Sequence, residues 1–211
     1  MEMTNFLMFL HCYAQYSYHV TYKLLDISIT FCIFVLQNKK KKFSHYMEDF
    51  IHLHVHTYYS ILDGQSPVQK IVDKAVANGM RGMAITDHGN MFGVKELYNY
   101  CNKINGKLKD EGKEPFKPIF GCEMYVAHRR KSDRVKEKGD MGGYHLIVLA
   151  KNYKGYKNLI KLVSRAWVDG YYMRPRTDRE DLEKYHEDLI VCSACIAGEV
   201  PSKILKGDMA G

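Results

Sequence analysis

Glycine and proline are absent from residues 1–46, although the whole chain of 211 residues has 16 and 5 of them. A stretch without either lacks the residues that punctuate turns and helix ends, and neither a capping signal nor a sustained periodicity takes their place. Its ten aromatics (five Phe and five Tyr) give it apolar character only. No apolar run in the chain reaches the roughly 18 residues of a spanning helix. The stretch from Leu24 to Leu36 carries Asp26 and is followed by four lysines, Lys39 to Lys42. A signal peptide has its basic residues before the apolar core and a small-residue cleavage site after it, so this order excludes one. The six cysteines are scattered, which excludes a disulfide scaffold. Residues 1–46 are therefore expected to be unstructured upstream sequence, with translation starting at Met47.

What is present begins near residue 50. Hydrophobic residues make up 46% and charged residues 26%, the balance of a globular chain. A formal charge of +7 favours an anionic partner such as nucleic acid or phosphate. Ten histidines direct attention to metal chemistry. Phe50 to Tyr58 has strand-like content. Ser66-Pro67 reads as an N-cap with proline in the first turn of a helix, ended by Asn78-Gly79. Strands are expected at 83–86, 119–126, 144–150 and 189–193, with helices at 94–104, 153–168 and 178–185. Residues 105–118 read as a loop, and 128–143 as a charged, mobile one. Alternating strands and helices imply a parallel sheet with crossover helices, either an α/β barrel or a doubly wound sheet.

The chemistry is concentrated at strand ends. In His52-Leu53-His54-Val55-His56 a strand would point all three imidazoles to one face. Metal binding and a solvated edge strand are the two readings. Thr86-Asp87-His88-Gly89 ends a strand, Glu123 interrupts an apolar one, His145 opens another, and Cys195 follows a fourth. Taken singly these are a polar turn, a salt-bridge partner, a core histidine and a small buried residue. Together they supply the imidazole, carboxylate and thiol of a multinuclear metal site. Cys192-Ser193-Ala194-Cys195 lacks the second pair of a zinc knuckle and the helix-start placement of a redox pair. Cys195 is thus expected as a ligand and Cys192 in the core. Lys154, Lys161 and Arg165 recur at helical spacing, and Arg174 and Arg176 sit among tyrosines, a pattern suited to a nucleic-acid backbone or to a solvated helix face.

Phe50 to Gly64, Ala84 to Gly93, Gly121 to Val126, His145 to Ala150, Gly170 to Arg176 and Cys195 to Glu199 together resemble the polymerase and histidinol phosphatase (PHP) family. Within it they resemble the replicase branch, which opens the bacterial DNA polymerase III alpha subunits. The resemblance covers residues 48–211. It implies a distorted (β/α)7 barrel, incomplete at the C-terminus, over residues 47–211, holding two to three divalent metals (zinc, manganese or iron). Carried over by motif, the ligands are His54, His56, Asp63, His88, Glu123, His145 and Cys195, whereas His52 is not one. Family members complete the site with a late Asp-x-His motif that this sequence does not contain. The implied chemistry is phosphoester hydrolysis, as a 3′→5′ exonuclease within a DNA-directed DNA polymerase whose magnesium-dependent palm lies outside this chain. The chain alone is expected to be inactive. The implied partners are primer–template DNA, a sliding clamp and a proofreading subunit, in the cytoplasm and without a membrane. A stand-alone histidinol-phosphatase type of phosphoesterase and a non-catalytic structural module are the alternatives.

Overall fold

The computed structural model describes residues 50–138 and 140–208. The chain divides into two units, 1–47 and 48–211, and the described residues belong to the second. The expectation for residues 1–46 lies outside the described residues.

Periodicity explains the helices. In α1 (Val68–Ala77), Val68, Val72 and Ala75 fall on one face and are buried. Pro67 itself occupies the N-cap, without a side-chain hydrogen bond, and Gly79 ends the element at φ +78°. In α2 (Val94–Asp110), Val94, Leu97, Cys101 and Leu108 form the buried stripe. These two helices pack with Met83, Ile85 and Phe116 in one cluster. The stripe of α3 (Tyr153–Val168), Leu159, Leu162, Val163 and Ala166, packs on Cys122, Met124 and Val148. Two short helices, α4 (Arg179–Tyr185) and α5 (Glu199–Leu205), follow.

The sheet has six strands: β1 (Gly82–Ile85), β2 (Lys117–Val126), β3 (Tyr144–Ala150), β4 (Tyr171–Tyr172), β5 (Arg174–Thr177) and β6 (Leu189–Cys192). Strand β2 is its axis. It pairs parallel with β1 and β5, and antiparallel with β3, which pairs antiparallel with β6. The fold is mixed α/β, not the all-parallel arrangement expected. Among its described residues the connection from β2 to β3 contains one turn of 3₁₀ helix, Lys136–Lys138, and no crossover helix, so the second strand returns antiparallel. Among the described residues no pairing closes the sheet into a barrel.

That connection is not a free loop. Arg129 pairs with Asp140, and Lys131 pairs with Asp178 and Asp181. Arg176, 1% exposed, donates to the carbonyls of Gly170, Asp140, Lys131 and Asp133. A charge this deeply buried persists only when its donors are satisfied.

Alternation along β2 sets up the site. Cys122 and Met124 face α3, so Glu123 emerges on the opposite face of the sheet. It is 0% exposed.

Candidate metal centre

Glu123 is the hub of the cluster. Its Oε2 lies 3.1 Å from His54 Nε2, 2.8 Å from His56 Nε2 and 3.2 Å from His88 Nδ1. Its Oε1 lies 2.6 Å from His145 Nδ1 and 3.7 Å from Cys195 Sγ, which is also 3.5 Å from His145 Nδ1. Asp63 joins through a 2.7 Å contact between Oδ2 and His88 Nε2. Three overlapping groups have donor atoms within 4.8 Å of one another: His54–His56–Glu123, His56–Asp63–His88 and His88–Glu123–His145.

Each donor has its own support. Residues 52–57 do not form the expected strand. Ala84 N–H donates to the His52 carbonyl and Thr86 N–H to that of Val55, so β1 and the residue after it advance two positions while the histidine segment advances three. The extra residue breaks the alternation. His54 and His56 turn towards Glu123, and His52 sits exposed against the Phe50 ring at 4.8 Å. His145 faces the site from β3, where its neighbour Tyr125 is paired across the strands. His88 follows β1 and is bridged to Glu123. Cys195 follows β6, while Cys192 is half-buried against Ile147 and Leu149.

A buried carboxylate that sequence reasoning left unassigned organises His56. Asp87, 2% exposed, accepts from Thr57 N–H at 2.7 Å, Thr57 Oγ1 at 2.8 Å and Ser60 Oγ at 2.7 Å. The single Ser60 proton is thereby committed, so the 3.0 Å contact between Ser60 Oγ and His56 Nδ1 is donated by the imidazole. Neutral His56 then carries its proton on Nδ1 and directs the Nε2 lone pair at Glu123. The four-residue spacing from His56 to Ser60 was the only signal for this in the sequence.

The electrostatics call for positive charge at the centre. Burial opposes the Glu123 charge, yet hydrogen bonds from His145 and His54 hold its carboxyl far below the usual carboxylate range. Burial alone would lower the His145 value, but hydrogen bonds with Cys195 and Glu123 raise it to about 9. Burial and the neighbouring His56 push His88 down, against the Asp63 hydrogen bond. His88 Nδ1 is buried and without a hydrogen-bond partner. An orphaned ring nitrogen and an imidazole lone pair, both aimed at one carboxylate oxygen, fit a divalent cation held among them. Imidazole, carboxylate and thiol suit such an ion. The His54, His56, His88 and His145 side chains keep 19–32% exposure, so the bowl opens to solvent.

The five basic residues singled out for nucleic acid are dispersed. Lys154 pairs with Glu187 at 2.6 Å, and Lys161 lies over the Tyr185 ring. Arg165 pairs with Asp181 and Asp169. Arg176 is buried, with its carbonyl partners leaving little for a phosphate. Arg174 is exposed beside the donor cluster. Its guanidinium covers the Tyr125 ring at 5.1 Å and donates to Tyr125 Oη at 2.9 Å. Tyr125 also contacts the rings of His145 and His88, at 5.1 and 6.1 Å.

The PHP domain family matches residues 52–211. DNA polymerase III subunit alpha of Borreliella burgdorferi is 48% identical over 158 residues, which is 74% of this chain and 13% of that protein. The proteins of that name from Treponema pallidum and Thermus aquaticus are 44% and 41% identical, over 75% and 74% of this chain and 13% and 12% of theirs. The chain thus spans about an eighth of the length of these relatives. Among the described residues no helix is long and apolar enough to cross a membrane.

Proposed function

The chain belongs to the PHP domain family, and we propose that residues 47–211 are the N-terminal PHP region of a bacterial replicative DNA polymerase, with a multinuclear site for phosphoester hydrolysis. The observation that carries this reading is the convergence of His54, His56, His88, His145, Cys195 and, through His88, Asp63 on the buried carboxylate of Glu123. These seven residues would hold two or three divalent ions, for which zinc, manganese and iron are all suitable. Such ions supply a hydroxide near neutral pH and neutralise charge on the phosphoryl oxygens.

The residues of the chain supply the rest. Asp87 and Ser60 orient His56, the buried Glu123 charge gathers the imidazoles, and the solvent-facing side of the bowl admits the strand. Hydrolysis would form a bond from water oxygen to phosphorus and break the bond from phosphorus to the penultimate 3′ oxygen, which takes the proton. The products are a nucleoside 5′-monophosphate and a shortened strand, the outcome of 3′→5′ excision. Polymerisation with magnesium on primer–template DNA, contacts with a sliding clamp and a proofreading subunit, and a cytoplasmic location belong to the same proposal for the longer protein. The stand-alone phosphoesterase reading has no support in relatives 41–48% identical that are replicase subunits by name.

The test uses the full-length polymerase. A 3′-mismatched primer should be shortened by the wild type, and His145→Ala should abolish excision while extension of a matched primer is retained. Equal excision by the variant, or a purified wild type without bound metal, overturns the reading.

A further inference from the structure

Beside the donor cluster lies a surface that the metal chemistry does not use. Trp167, near the end of α3, and Tyr171, in β4, stack with ring centroids 5.6 Å apart and planes 18° from parallel. Both are exposed, at 44% and 49%. An exposed stacked pair of large aromatics leaves an apolar face in water unless something covers it. Its position is fixed from the site side. Trp167 Nε1 donates to the Gly89 carbonyl at 2.8 Å, one residue after His88. Gly89 has φ +61°, and a Cβ there would come within 2.6 Å of Pro175, the cross-strand partner of Tyr171. The pair is thus tied to the backbone that carries His88. Among the described residues Arg174, next to Pro175, has no carboxylate partner and is exposed above Tyr125, the ring beneath it touching His88 and His145.

We infer that Trp167 and Tyr171 form a nucleobase platform, with Arg174 taking the adjoining phosphate, so that the substrate of this site is the unpaired end of a nucleic-acid strand. The inference rests on the hydrolytic reading and names its substrate class. Flat aromatic faces stack any base and are indifferent to sequence, and a cation one residue row away matches the charge of the backbone. A base held in a duplex cannot present its face in this way, so the platform selects unpaired ends. A small phosphate ester would have no use for it.

Two measurements on the full-length polymerase separate this inference from the reading beneath it. An oligonucleotide with an unpaired 3′-terminal 5-iodouracil, irradiated in the complex, should give adducts on Trp167 or Tyr171 by peptide mass spectrometry. Adducts confined to other residues overturn the platform whether or not the enzyme hydrolyses DNA. In the second, Trp167→Ala should raise KM for a single-stranded oligonucleotide about fivefold or more, the stacking of one base. It should leave KM unchanged for the same strand ending in an abasic residue. Trp167→Phe keeps a ring and should lie close to wild type, which guards against a merely misfolded alanine variant. An unchanged KM on the base-bearing strand overturns the platform while excision survives. Adducts on Trp167 without hydrolysis overturn the hydrolytic reading and leave a binding surface.

Discussion

At the scale of single residues the site is governed by one proton. Ser60 donates to Asp87 and therefore receives from His56, which leaves the His56 Nε2 lone pair for an ion. Ser60→Ala removes the acceptor for His56 Nδ1–H without touching a donor atom. Loss of such orienting partners costs about 10–100-fold in metal affinity, and that is the expected weakening, measured by competition with a calibrated chelator. Unaltered affinity would show that packing alone sets the ring. The thiols divide in the same way, by environment. Burial pushes Cys101 up to about 11 and raises Cys122 further, so both stay protonated in apolar surroundings. Cys195 instead lies against His145 and Glu123.

At the scale of elements, caps and close approaches decide what the chain tolerates. Asp178 caps α4 by accepting from Asp181 N–H, and its second oxygen accepts from Lys131 N–H. Burial works against the Asp178 charge, but these backbone hydrogen bonds outweigh it and lower the value from 3.8. A depressed folded value gives a contribution that is complete above the unfolded value near 4 and is lost as pH falls from there through the lower, folded value. Asp178→Ala should cost about 1 kcal/mol at neutral pH. The melting-temperature gap to wild type should narrow as pH falls below about 4, and a constant gap would remove the carboxylate from the explanation. Gly155, in the first turn of α3, is a case where two effects compete. Alanine in a helix gains about 1 kcal/mol over glycine, but its Cβ would lie 1.9 Å from the Asp188 carbonyl oxygen. Forced backbone shifts cost about 1–3 kcal/mol, so Gly155→Ala should lower the melting temperature, and a rise would show that the turn at Asp188 yields freely.

Elements with a clear period were legible. Helix α3 and the strands β2 and β3 lie where they were expected, at 153–168, 119–126 and 144–150. Local signals failed where a distant partner intervened. Residues 105–118 read as a loop, yet α2 runs on through Asn105 and Gly106 to Asp110, with the Asn105 side chain bonding the backbone N–H and carbonyl of Phe116. Strands β4 and β5 are two and four residues long and carry no periodicity. The polar motifs named the donor residues, because histidine, glutamate and cysteine at strand ends are conspicuous. Asp87 and Trp167 were not legible as site residues, since their roles depend on contacts 27–30 and 78 positions away.

At the scale of the whole molecule, the donor cluster ties together segments that are far apart in the chain. Its members come from before β1, after β1, the middle of β2, the start of β3 and beyond β6, so one filled site spans most of the described residues. Without an ion, four imidazoles crowd one buried carboxylate, and hydrogen bonds alone hold them there. An ion that binds only the folded chain adds about 4 kcal/mol at a thousandfold excess over its dissociation constant. For a chain of this size each kcal/mol moves the melting temperature by about 2–4 °C. Stripping metal with a chelator should therefore lower the melting temperature by roughly 10 °C, and adding back zinc or manganese should restore it. In His145→Ala the chelator-sensitive part should shrink, because a ligand from β3 is missing, while the apolar clusters on α1, α2 and α3 are untouched. Identical melting before and after chelation would mean that hydrogen bonds alone hold the cluster, and the centre would then be a structural feature of the fold.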